Sequence, residues 1–201
     1  MTGILTTARL VFKDTSAREK AIEAFRKIIA FTTSNEPEVL QYVCALPVED
    51  KSGTDIYMIE EYANQAASDA HLATKPVQDL IQLFTTGDVL AGPPEVHNCP
   101  VQHKKSLGQP LLVSSNPGIV LLHSTSTGAD AWAKAVEDIN ELSFSAVVED
   151  DETKGVRLEL IFDSWSRYEA FEMSDAVKGA ENATKIRPIA GFLGREDRSK
   201  L

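Results

Sequence analysis

The stretch Glu60-Glu61-Tyr62-Ala63-Asn64-Gln65-Ala66-Ala67-Ser68-Asp69-Ala70-His71 decides how the rest of the chain is read. It predicts a strand from Asp55 to Tyr62 that runs into a helix capped by Asn64, with Ala67, Ala70 and His71 close together on it. About a hundred residues later a weaker copy follows, Asp163-Ser164-Trp165-Ser166-Arg167-Tyr168-Glu169-Ala170-Phe171-Glu172-Met173-Ser174. Laid over the first, Trp165 takes the place of Tyr62, Ser166 that of Asn64 to within one residue, and Ala170 that of Ala67; Ser174 stands at the histidine's place. The repeat implies two related halves, one of which keeps a polar group at this corner.

A chain of 201 residues holds one large domain or two of about 100 residues, and the repeat decides for two. A formal net charge of −10, with no block of lysine or arginine, sets nucleic acid aside as a partner. No stretch approaches the ~18 apolar residues of a membrane span, and Met1 to Lys13 lacks a basic start followed by a long apolar run. A cytoplasmic protein with no membrane partner is expected. Cys44 and Cys99 share no CxxC spacing, which argues against a disulfide scaffold and a zinc site and for a buried thiol at Cys44.

In Gly3 to Lys13 two sets interleave, Ile4/Ala8/Leu10/Phe12 and Leu5/Thr7/Arg9/Val11, as in a strand with both faces partly covered. Ser16-Ala17-Arg18-Glu19 reads as a capping box, opening a helix with Ala21, Ile22, Phe25, Ile28, Ile29 and Thr32 on one stripe. Val39 to Leu46 is the expected second strand. Pro76 either kinks the helix that Asn64 caps or begins a new segment, along which Val77, Leu80, Ile81 and Phe84 carry the stripe onward. A fourth strand is expected over Glu95 to His103, at an edge or shortened by Pro100. The turn-rich segment 104–117 reads as a linker between halves 1–103 and 118–201. In the second half the expected strands are Ile119 to Thr125, Phe144 to Val148, Val156 to Trp165 and Pro188 to Arg195. One helix carries Trp132, Val136, Ile139 and Leu142, and Ser166-Arg167-Tyr168-Glu169 opens another.

Each half therefore reads as βαββαβ, the ferredoxin-like α+β arrangement with two helices on one face of an antiparallel sheet. The other face needs a cover, and two tandem units supply it by placing their open faces together. The expectation is an intramolecular dimeric α+β barrel with helices outside and a cavity between the sheets. One chain then imitates a dimer, either as a monomeric pseudo-dimer or as a subunit of a homodimer.

Glu61, Tyr62, Asn64, Ala67 and His71 resemble the corner of the antibiotic biosynthesis monooxygenase family, where an acidic and an aromatic residue end the third strand before a polar cap, an alanine and a helix histidine. The element order extends the resemblance over nearly the whole chain. It implies an oxygenase that needs no metal, flavin or other cofactor and acts on a small aromatic substrate with dioxygen. In such enzymes a proton is removed from a phenol or anthrone, the anion gives an electron to dioxygen, and recombination leads to a quinone and water. The chemistry asks for a base, donors for the developing oxyanion and a dry aromatic pocket. His71 is the expected base. Arg9 is expected to hold the phenolate if it points between the sheets, with Tyr42, Tyr57, Tyr62, Trp165 and Glu60 as contacts to the substrate.

Each of these residues has a plainer reading. His71 can be a helix histidine packed on the strand end, Arg9 a strand arginine paired with Glu60 or Asp55, and Tyr62 and Trp165 packing residues. His97, His103 and His123 have no spacing that suggests a metal site. Haem breakdown, found on similar folds, would require a strand-one asparagine and an axial histidine where Ile81 stands, and both are missing. No phosphate loop, nucleophile elbow or nucleotide fingerprint follows any expected strand. Three functions remain: the monooxygenase, a cyclase, dehydratase, decarboxylase or isomerase using His71 for proton transfer in the same barrel, and a non-catalytic ligand-binding or stress-related protein.

Overall fold

The computed structural model describes residues 3–137, 139, 142–150, 155–172, 180 and 182–195. The first half contains β1 (Ile4–Val11), α1 (Thr15–Asn35), β2 (Val39–Pro47), β3 (Asp55–Tyr62), α2 (Gln65–Leu72), α3 (Lys75–Thr86) and β4 (Glu95–Ser106). The second contains β5 (Gly118–Ser124), α4 (Ala129–Glu137), β6 (Leu142–Asp150), β7 (Gly155–Phe162), α5 (Trp165–Glu172) and β8 (Asn182–Phe192). Both are ferredoxin-like, with strand orders β4-β1-β3-β2 and β8-β5-β7-β6, and they join into one closed eight-stranded barrel.

Closure comes from the two fourth strands. The first part of β4, Glu95 to Pro100, pairs with Arg9 to Ile4 of β1, and from Val101 to Ser106 it pairs with β6 of the other half. β8 does the converse, lying against β5 from Asn182 to Ile186 and against β2 from Ile186 to Phe192. Pro100 therefore neither ends β4 nor leaves it at an edge: it stands at the changeover, and the strand enters the segment expected to be linker. β8 begins at Asn182, well before Pro188; Asn182 to Lys185 are exposed or half-buried and carry no apolar signature in the sequence. Pro188 lies at a register shift against Cys44 and Ala45, where the ladder is already interrupted. At Gly191 φ is +119°, and a Cβ there would come within 2.0 Å of the Tyr42 carbonyl, so the β2–β8 seam requires glycine.

The barrel closes as expected; its middle is filled by side chains, and space between the two sheets remains toward the ends, chiefly an opening of about 420 Å³ lined by Thr7, Arg9, Tyr57, His97, His123 and Arg157. All eight strands send side chains into one lumen cluster, including Leu5, Val43, Ile59, Cys99, Ile119 and Phe144. Two further cores lie outside, between each half's sheet and its helices. α1 is capped by Asp14, whose carboxylate accepts from the Ala17 N–H at 2.7 Å, rather than by Ser16, which lies inside the first turn. Its buried stripe is Ala17, Ala21, Ile22, Phe25, Ile28 and Thr32. Asn64 caps α2 through Ala67 N–H at 2.9 Å, and Pro76 sits in the opening turn of a separate helix. α4 ends at Glu137, ahead of Ile139, and Leu142 already belongs to β6. Among the described residues no helix is long and apolar enough to cross a membrane.

Among the polar groups of the lumen is the pair Gln41–Glu159. Gln41 Nε2 donates to Glu159 Oε1 at 2.6 Å, both residues are wholly buried, and the Glu159 Oε2 atom meets no hydrogen-bond partner. Burial pushes the Glu159 carboxyl up to about 8, against the pull of the Gln41 hydrogen bond. Since the folded value lies above the unfolded one, its contribution to stability is fully present below about 4.5 and is lost as pH rises through about 8. Glu159→Gln is expected to remove this loss, worth up to about 1.4 kcal/mol for each pH unit in that window. Urea midpoints of wild type and variant should coincide near pH 4 and separate by pH 9, with the variant the more stable.

Candidate functional site

His71 lines a cavity of about 290 Å³ that lies beneath α2 and α3 of the first half, on the outer face of the barrel. Strand alternation selects its walls. β1 contributes Ile4, Thr6, Ala8 and Leu10, and β3 contributes Met58, Glu60 and Tyr62. Tyr42 enters from β2, and Val77, Leu80 and Phe84 close the side formed by α3. At the mouth the exposed side chains of Leu72, Ile81 and Val96 make an apolar rim.

The His71 ring is 1% exposed and lies between two tyrosines, with centroids 5.1 Å from Tyr42 and 5.5 Å from Tyr62. Nδ1 sits 3.0 and 3.2 Å from the two carboxylate oxygens of Glu36, the residue that ends α1. Thr32 Oγ1 donates to the same carboxylate at 2.6 Å. A carboxylate accepts only, so Nδ1 carries a proton toward Glu36, and Nε2 is the ring nitrogen that Glu36 does not engage. Beside the ring, Tyr62 donates its hydroxyl to Glu60 at 2.5 Å. Burial raises the Glu60 carboxyl, while the Tyr62 hydrogen bond and His71 pull it down. Burial and then the charge of Glu60 push Tyr42 and Tyr62 well above the ordinary phenol range, so both remain neutral donors at physiological pH. Thr6 and Asn98 form a second polar pair on the wall, Thr6 Oγ1 donating to Asn98 Oδ1 at 2.7 Å.

Of the residues singled out from sequence, the structure brings His71, Tyr42, Tyr62 and Glu60 together and leaves three elsewhere. Arg9 and Tyr57 face the other side of the sheet and line a separate opening at one end of the barrel. Arg9 donates to Asp55 at 2.9 Å with its side chain 45% exposed, so no common space joins it to His71. Trp165 opens α5 in the second half and stands edge-on to Tyr168, over Gly118. Sequence reading missed Glu36, because its contact with His71 spans 35 residues. The available signal was an acidic residue ending a helix, where the backbone dipole disfavours it unless it has a partner. Among the described residues no three His, Cys, Asp or Glu side chains form a group that could hold a metal.

The structural register also corrects the repeat. β3 ends at Tyr62 and β7 at Phe162, and α2 and α5 begin at Gln65 and Trp165, so Phe162 is the counterpart of Tyr62 and Phe171 that of His71. Ser174 lies outside the described residues. The second corner is filled: Phe162 packs on Phe171 and Tyr168 with centroids 5.5 and 5.6 Å apart, and Tyr168, at the place of Ser68, is wholly buried.

The sequence model of the antibiotic biosynthesis monooxygenase family matches residues 12–83. No curated protein matches the chain. Among solved structures, a candidate monooxygenase from Lactobacillus acidophilus NCFM superimposes with a TM-score of 0.74 at 14% identity, covering 98% of this chain and 100% of that one. Another from Fusobacterium nucleatum reaches 0.73 at 16% identity over 98% of each chain. An anthrone oxidase-like protein reaches 0.63 at 11% identity, over 97% of this chain and 95% of the other. These likenesses show a fold shared end to end.

Ser68 is buried against the cavity, and its counterpart Tyr168 indicates how the space can be filled. Ser68→Tyr is expected to abolish binding of an anthracene-type fluorescent probe while circular dichroism stays unchanged. Wild-type affinity in that variant would place the ligand elsewhere.

Proposed function

We propose that the chain, whose residues 12–83 match the antibiotic biosynthesis monooxygenase model, is a cofactor-independent monooxygenase acting on a polycyclic phenol or anthrone of secondary metabolism. The observation that carries this reading is the buried His71, on the wall of an apolar, aromatic-lined cavity and held from behind by the partly exposed Glu36. The anthrone oxidase-like protein of the same fold supports the substrate class.

His71 Nε2 takes a proton from the activated ring CH₂ or phenol, and Glu36, already accepting from Nδ1, stabilises the imidazolium. The developing oxyanion needs donors. Arg9 was expected to supply them and lies on the opposite face of the sheet; Asn98, whose Oδ1 accepts from Thr6, would turn its amide N–H groups to that role. The carbanion gives one electron to dioxygen, and the radical pair recombines with formation of a C–O bond. Return of the proton and cleavage of the O–O bond release water and leave the carbonyl, so that CH₂ and O₂ become C=O and H₂O. Tyr42 and Tyr62 wall the ring system without titrating. Dry walls protect the anion from reprotonation by solvent.

The test is dioxygen uptake with an anthrone and no added metal or flavin. His71→Ala is expected to lower turnover by roughly 10²–10⁴-fold. Glu36→Gln should lower it less, since its amide can still meet Nδ1 but without charge. Equal turnover under strict anaerobiosis would instead favour the proton-transfer reaction, for which the same base suffices.

A further inference from the structure

Each fourth strand, once it has crossed to the other half, brings a cation to the end of that half's first helix. From β4, Lys105 Nζ donates to the carbonyls of Val136, Glu137 and Ile139 at 3.2, 2.6 and 2.9 Å, where α4 ends. Just past β8, Arg195 does the same for α1: Nη2 donates to the carbonyls of Thr32 and Glu36 at 2.9 and 2.7 Å, Nη1 to Thr33 at 3.3 Å and Nε to Val39 at 2.6 Å. The guanidinium is held 4.6 Å over the ring of Phe192.

The two clamps differ in what hangs from them. α1 has no basic residue in its own last turn, yet it ends on Glu36, an acid at the negative end of the helix dipole. That acid is the one that meets His71. Arg195 supplies the missing positive charge and fixes the backbone on both sides of Glu36, and Thr32, gripped at its carbonyl, in turn directs the carboxylate through Oγ1. A fork of rigid N–H donors reaches four carbonyls, which the point charge of a lysine cannot reproduce.

We infer that Arg195 is a positioning residue for the Glu36–His71 pair, so that the second half, whose own corner is filled, completes the site of the first. The inference rests on His71 as the working residue of the proposed reaction, and its geometry can be read without turnover. Loss of the clamp lets the end of α1 loosen, and the imidazole then no longer holds its proton on Nδ1 alone.

The test uses full-length, ¹⁵N-labelled protein and reads the His71 ring nitrogens by long-range ¹H–¹⁵N correlation, alongside thermal melting and steady-state kinetics. Arg195→Gln is expected to give a mixture of His71 tautomers and a kcat reduced roughly 10- to 100-fold with little change in KM, and Arg195→Lys an intermediate result. Lys105→Gln, the matching change in the other clamp, should lower the melting temperature and leave His71 as in wild type. A single wild-type tautomer in Arg195→Gln would overturn the inference, as would an equal disturbance of His71 in Lys105→Gln. If Arg195→Gln does not fold, Arg195→Lys is judged by the same criteria. Failure of the oxygenase reading would look different: no dioxygen uptake by the wild type, with the tautomer still dependent on Arg195.

Discussion

The structure depends on the exchange of fourth strands between the halves. A ferredoxin-like half leaves one sheet face uncovered and both sheet edges unpaired, and neither is tolerable when that face is apolar. Pairing β4 with β6 and β8 with β2 cures both faults at once: the edges disappear into a closed ring, and the two uncovered faces become the walls of one packed lumen. The halves therefore cannot separate without exposing Leu5, Val43, Ile59, Ile119 and Phe144 together. The same crossing carries Lys105 and Arg195 to the opposite helix ends.

A packed lumen has a consequence for chemistry. The space beside His71 lies where the helices stand off the outer face, and the alternation of strand side chains decides who reaches it. Thr6, Tyr42, Glu60 and Tyr62 point outward to α2 and α3, while their immediate neighbours Thr7, Gln41, Ile59 and Glu61 point into the barrel. A displacement of one residue is enough to move a side chain from the site to the lumen. The lumen's own polar groups then become costly, as the pushed-up carboxyl of Glu159 shows, whereas the carboxylate of Glu36 finds an imidazole, a hydroxyl and a cation-braced helix end.

This alternation explains what could be read from sequence and what could not. Element order, the pseudo-dimeric barrel and the corner around Asn64 and His71 were legible because caps, turns and periodicity are local. Which face Arg9 takes was not, since a strand covered on both sides is apolar in both registers and has no solvent face to break the tie. The register between the halves was hidden for a related reason: Trp165 looks more like Tyr62 than Phe162 does, but the strand and helix ends align Phe162. Glu36 and Arg195 were invisible because their contacts join segments 35 and about 160 residues apart.

The unequal corners follow from stability as much as from function. In the second half Phe162, Tyr168 and Phe171 share one cluster with Trp132. In the first, Ser68 and His71 occupy the places of Tyr168 and Phe171, and the sheet face beneath them is open enough for a ligand. A cavity with a buried imidazole forfeits packing contacts that an aromatic plug would supply. Because both halves share one barrel, the fully packed half stabilises the hollow one through their common lumen. Two hollow halves would forgo that support, and two filled halves would have no site. An asymmetric pair is thus the arrangement in which a small chain keeps both a firm fold and an open corner beside His71.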